Sequence, residues 1–130
     1  MNQYGEIAIA AVKILLAKKI QDPKEAWEEA SIRYLMEGSS SQKKVCPRNA
    51  FLGLCSAGLI RGINKGDYTK SEKNKSYVVE AVKILEQQSN LSKKELWRKV
   101  LDACSQNLEK KHNQQMDVVL ALFNKRQLVD

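Results

Sequence analysis

Cys46 stands directly before Pro47, with Lys43, Lys44 and Arg48 close on either side. A proline there suits the start of a helix, because its missing N–H is not needed in the first turn. Cys46 is then expected at or next to the N-cap of that helix, where the helix dipole and the neighbouring cations favour a thiolate. Such a pattern suits a reactive or redox-sensing thiol. No base partner is evident, however, and beside Val45 the same residue also reads as a small buried apolar side chain.

The other groups capable of chemistry are scattered. Cys55 lies nine residues from Cys46 and Cys104 is remote, so no cysteine–histidine set has metal-site spacing. His112, the only histidine, sits in a basic, polar connection and is expected to be solvated. Glu25, Glu28 and Glu29 share one helix, Glu25 as a capping residue and the others on a solvated face. Gly58, Gly62 and Gly66 recur every four residues without a Walker lysine or a following helix cap. With no acid–base, nucleophilic or metal set, the residues point to a non-enzymatic protein with no cofactor and no metal.

Charge is the more informative signal. The formal net charge is +7, and residues 38–75 carry +6 of it: eight basic side chains against Asp67 and Glu72. The basic residues are Lys43, Lys44, Arg48, Arg61, Lys65, Lys70, Lys73 and Lys75, with Tyr68 among them as a stacking surface for a base. Clustered charge of one sign attracts an anionic partner, above all the phosphate backbone of nucleic acid. The alternative is that exposed lysines only keep the protein soluble, leaving a protein-interaction or self-associating module.

These residues need elements to position them. Ala11-Val12-Lys13-Ile14-Leu15 recurs seventy positions later as Ala81-Val82-Lys83-Ile84-Leu85, and without a gap Glu25 falls on Glu95 and Trp27 on Trp97. Repetition at a fixed spacing sets architecture before any motif is read. The apolar periodicity is helical throughout. A first helix is expected from Tyr4 to Ile20. A second starts at Asp22-Pro23-Lys24-Glu25, buries Trp27, Ala30, Tyr34 and Leu35, and stops at Gly38. A third opens at Pro47 and closes at Gly58. The second copy follows with Tyr77 to Gln88, a capping box at Ser92–Glu95, and a last helix capped by Asn113. Leu128-Val129 echoes Leu59-Ile60. The expected fold is all-α: one compact domain over 1–130, with pseudo-repeated three-helix units at 4–62 and 74–130. A basic loop at 63–73 joins them, and the turn chemistry of Asn64-Lys65-Gly66 allows one short hairpin near 59–69.

Two resemblances add to this. Each three-helix unit ending in an apolar pair resembles a helix-turn-helix or winged-helix core, which implies a third helix that reads DNA. The two third helices offer few Arg, Asn or Gln for base edges, so backbone contacts are expected rather than sequence readout. The run Lys44-Val45-Cys46-Pro47-Arg48-Asn49-Ala50-Phe51-Leu52-Gly53-Leu54-Cys55, with Gly58-Leu59-Ile60, Tyr68 and Asn74-Lys75 after it, resembles a family of small uncharacterised bacterial proteins. That resemblance implies a bacterial or phage-type cytosolic protein and carries no catalytic residues. An odd number of cysteines also suits a reducing, cytoplasmic setting, and no apolar run is long enough for a membrane span.

Overall fold

The computed structural model describes residues 2–129. Six α-helices follow in order: α1 (Gln3–Leu16), α2 (Pro23–Tyr34), α3 (Val45–Ser56), α4 (Glu72–Gln87), α5 (Lys93–Ala103) and α6 (Gln115–Asn124). Local chemistry accounts for most of the starts. Asp22 accepts from the Lys24 N–H at 3.0 Å, with Pro23 in the first turn. Ser92 and Glu95 form a complete capping box, the Glu95 N–H donating to Ser92 Oγ and the Ser92 N–H to Glu95 Oε1.

Several boundaries differ from the sequence expectation. The first helix stops at Leu16 rather than Ile20, because Lys18 takes a left-handed φ of +59° and turns the chain toward Asp22. Leu16, at the end of the helix, is exposed. The second helix ends at Tyr34, and Leu35 is already extended, so Gly38 turns the connection rather than closing the helix. Tyr34 therefore leaves the core, at 42% exposure. Ser31 is buried instead, donating to the Glu28 carbonyl and accepting from Gln42 Nε2. The fourth helix begins at Glu72, capped by Ser71, so Lys73 and Lys75 are helical and not part of a loop. Asn113 does not cap α6. Gln114 precedes that helix with a left-handed φ of +73°, and the Asn113 N–H donates to Gln115 Oε1.

Two aromatic pairs anchor the interior. Trp27 packs on Phe51 with centroids 5.3 Å apart, and Trp97 meets Tyr77 edge-on at 5.2 Å. Both tryptophans are buried, and a single apolar cluster takes side chains from all six helices. The chain is thus one all-α domain. The two halves interlock through their third helices: α3 packs chiefly on α4, α6 packs on α1 as well as on α4 and α5 of its own half, and α3 and α6 pack on each other. A helix-turn-helix unit needs its third helix seated on its own first two, and α3 has little contact with α2.

The tails of α3 and α6 meet as well. Gly58 (φ +72°) and Arg126 (φ +56°) end the two helices alike: Leu59 N–H returns to the Leu54 carbonyl and Gln127 N–H to that of Leu122. The short hairpin expected near 59–69 is absent. Ile60 pairs antiparallel with Leu128, with Val129 N–H donating to Leu59 O at 2.8 Å and Arg61 N–H to Gln127 O at 2.9 Å. Among the described residues no helix is long and apolar enough to cross a membrane.

Candidate functional site

After the α3 tail the chain doubles back along α3. Gly66 N–H donates to the Ser56 carbonyl at 3.3 Å, and Tyr68 N–H to Ser56 Oγ at 3.0 Å. Further along, Thr69 Oγ1 donates to Asn49 Oδ1 at 3.0 Å and accepts from the Ser71 N–H at 3.1 Å. Residues 66–71 therefore run antiparallel to α3, from its last turn to its first. Thr69 is buried and its hydroxyl is fully used. Its bond to Asn49 Oδ1 leaves the Asn49 amide N–H groups as the free end of that side chain.

This course brings together groups distant in sequence. Arg48 and Asn49 from α3, Tyr68, Thr69 and Lys70 from the loop, Ser71 at the α4 cap and Lys24 from the first turn of α2 line one cleft of about 330 Å³. Asp67 is its one acidic member. Tyr68 donates its hydroxyl to the Asn64 carbonyl at 3.0 Å, and its ring lies so close to Gly66 that a Cβ there would come within 2.8 Å. The half-buried ring is thereby held as a flat wall. Among the described residues the ion pairs are Lys83–Glu80 and Lys93–Asp117, and neither involves Lys24, Arg48 or Lys70.

The remaining basic residues are placed differently. Lys43 lines a separate, larger cleft that Arg48 borders from its other side. Lys44 is the N-cap residue of α3, and its ammonium lies 5.9 Å from the centroid of the Tyr4 ring. Arg61 is drawn to the paired tails, its Nε donating to the Leu128 carbonyl at 2.9 Å, and it lines a hollow with Arg126. Lys65 packs by Gly58 at the far end of α3, Lys73 stands in the first turn of α4, and the Lys75 backbone lies against Gly53. The structure therefore gathers Arg48, Tyr68 and Lys70 and adds Lys24, Asn49 and Ser71. Lys24 gave no signal in the sequence because it belongs to a helix of net charge −1, with Lys24 and Arg33 against Glu25, Glu28 and Glu29. Thr69 carried no signal, since its role depends on a partner twenty residues away.

Cys46 is not an N-cap. The helix starts at Val45, which makes Cys46 its second residue, half-buried. Pro47 in third place still costs nothing, because the first four N–H groups of a helix lack partners in any case. Cys55 is buried, and burial pushes its thiol far above the ordinary cysteine range. Cys104 caps α5 at its C-terminal end, where burial, and then the Glu80 carboxylate, raise its thiol pKa. His112 is half-buried rather than free in solvent: its ring meets Trp97 edge-on at 6.5 Å, and Nδ1 accepts from the Gln114 N–H.

No curated protein and no solved structure matches the chain. A family profile does match it over residues 1–129, which include every helix and every residue of the cleft, and the chain belongs to that family, a family of unknown function (DUF6979).

Proposed function

We propose that this protein is a non-enzymatic binder of nucleic acid that grips the phosphate backbone through the cleft of Lys24, Arg48 and Lys70. One observation carries the reading: three cations from three separate elements line one cleft with no ion pair to a carboxylate among the described residues, beside an aromatic wall and the Asn49 amide donors. Lys and Arg that neutralise phosphates release counterions and need no base contact. Tyr68 is the surface on which a base of a single strand would stack. The reading sets the protein in the cytoplasm, which its three free cysteines support, and keeps the bacterial setting that the sequence resemblance implies.

The test is fluorescence anisotropy with mixed-sequence single-stranded and duplex oligonucleotides over a range of salt. Each neutralised phosphate should contribute about −0.9 to the log–log salt slope on duplex DNA and about −0.7 on a single strand. Arg48→Ala with Lys70→Ala should flatten the slope by about two units, alike for unrelated sequences. Lys83→Ala, on the exposed face of α4, should leave it unchanged. Absence of binding by the wild type at low salt, or an unchanged slope in the double variant, would refute the proposal.

A further inference from the structure

A cleft opens beside each tryptophan, and the two differ in sign. The cleft at Trp27, about 730 Å³, has Ile20, Ile32 and Val45 as apolar lining and Glu25, Glu28, Glu29 and Glu37 around it. Ile32 and Val45 are 39% and 57% exposed. All four glutamates are exposed, and no ion pair among the described residues involves them. Lys43 and Arg48 are its only cations, at the α3 edge. The cleft at Trp97, about 350 Å³, is instead bounded by Lys94, Arg98, Lys110 and Lys111, with Glu109 the single acid. At the seventy-residue spacing of the tryptophans Glu28 falls on Arg98 and Glu29 on Lys99.

The basic side also offers something to insert. Leu108 is 47% exposed in the connection after α5, and the exposed Lys110 and Lys111 follow it. The Trp97 indole N–H donates to the Lys110 carbonyl at 2.8 Å, which fixes this segment against the buried ring. The segment is therefore a held, exposed knob with an apolar tip and cationic shoulders. The Trp27 cleft is an apolar hollow with anionic shoulders. Within one molecule the two belong to different helix pairs, α2 packing on α1 and α5 on α4.

We infer that the protein associates head to tail, the Leu108–Lys111 segment of one copy seating in the Trp27 cleft of the next. Opposite potentials on the two surfaces steer the encounter, and the apolar tip supplies the desolvated centre. The contact is heterologous, so it propagates to a ring or an open chain and does not stop at a symmetric dimer. The two clefts share Arg48 at their common edge, but Lys24 and Lys70 line only the smaller one, and neither reading requires the other.

The experiment is sedimentation velocity on nucleic-acid-free protein over a range of concentrations, at about 0.05 M and about 0.5 M salt, which bracket strong and weak screening. Wild type should rise above the single-chain mass of 14.7 kDa with concentration at low salt and return to it at high salt. Glu28→Lys with Glu29→Lys, and separately Lys110→Glu with Lys111→Glu, should each stay monomeric while keeping the wild-type circular dichroism spectrum. The second variant separates the contact from general repulsion. Each Lys→Glu change removes two positive charges, so the pair lowers the formal net charge from +7 to +3, and repulsion alone would make it associate more strongly. Mixing the two variants should restore association, because each then supplies the charge that the other's surface needs. A wild type that is monomeric throughout, or Lys110/Lys111 variants that associate as well as wild type, would overturn the inference.

Discussion

Replacing Gly53 with alanine tests the crossing of α3 and α4, which flank the basic cleft. In an unobstructed helix interior the change stabilises by about 1 kcal/mol, through the higher helix propensity of alanine. Here a Cβ on residue 53 would lie 2.9 Å from Lys75 Cα and 3.2 Å from Val78 Cγ2. Carbon atoms pack best at about 3.5–4.0 Å, so α3 and α4 must separate by about 0.5–1 Å. Lys75 Cα is backbone and cannot swing aside. Overpacking of this kind costs about 1–3 kcal/mol, so against the propensity gain the net loss is about 1 kcal/mol, within a range of about 0–2 kcal/mol. Urea unfolding followed by tryptophan fluorescence is the assay, since Trp27 and Trp97 are both buried. The thermal midpoint should fall by about 2–8 °C. Separation of the helices should also weaken nucleic-acid binding, because Arg48 and Asn49 ride on α3 while Ser71 caps α4. A raised urea midpoint with an unchanged m-value would show that the helices do not meet at Gly53, and the reasoning would fail.

Three further outcomes follow from particular side chains. Tyr77→Phe should be neutral or stabilise by up to about 1 kcal/mol, because the buried Tyr77 hydroxyl has no hydrogen-bond partner among the described residues; a clear drop in the urea midpoint would contradict this. Glu95 is held below its ordinary value of 4.5 by the Ser92 N–H and then the Ser92 hydroxyl. A depressed folded-state pKa stabilises above the unfolded value and is lost as pH falls through the folded one, so wild type should lose its advantage over Glu95→Gln below about pH 4.5. Equal stability differences at pH 7 and pH 3 would count against the capping box. Thiol labelling near pH 7 should run fastest at Cys46, near the N-terminus of α3 beside Lys43 and Lys44, and slower at Cys104, whose thiol is raised by burial and Glu80. Cys55 should react only on unfolding, and its early labelling in native protein would be inconsistent with the packing of α3.

The amino-acid order by itself determined that the chain is helical and where several helices begin. Apolar spacing and the Asp22-Pro23 and Ser92–Glu95 caps are local, and a helix start is set by hydrogen bonds spanning two or three residues. Helix ends were less legible. Lys18, Ser105 and Arg126 take left-handed φ values that favour glycine, and no glycine marks them in the sequence; at Ser105 and Arg126 the following N–H closes the helix end on the carbonyl of Leu101 or Leu122. Cys46 was misplaced by two positions for a related reason: Pro47 is tolerated throughout the first turn and does not single out N1. Which helices meet was a tertiary decision. Each third helix crosses to the first helix of the other half, and the paired tails at Ile60 and Leu128 join segments 68 residues apart. The basic cleft belongs to that level too. The run of charge in 38–75 was visible, but its convergence was not, because Lys70 is placed beside Arg48 by the bond from Thr69 to Asn49 and Lys24 reaches the cleft from a different helix, α2. Charge along a chain adds up locally, whereas a binding surface is made by contacts between residues that the sequence keeps far apart.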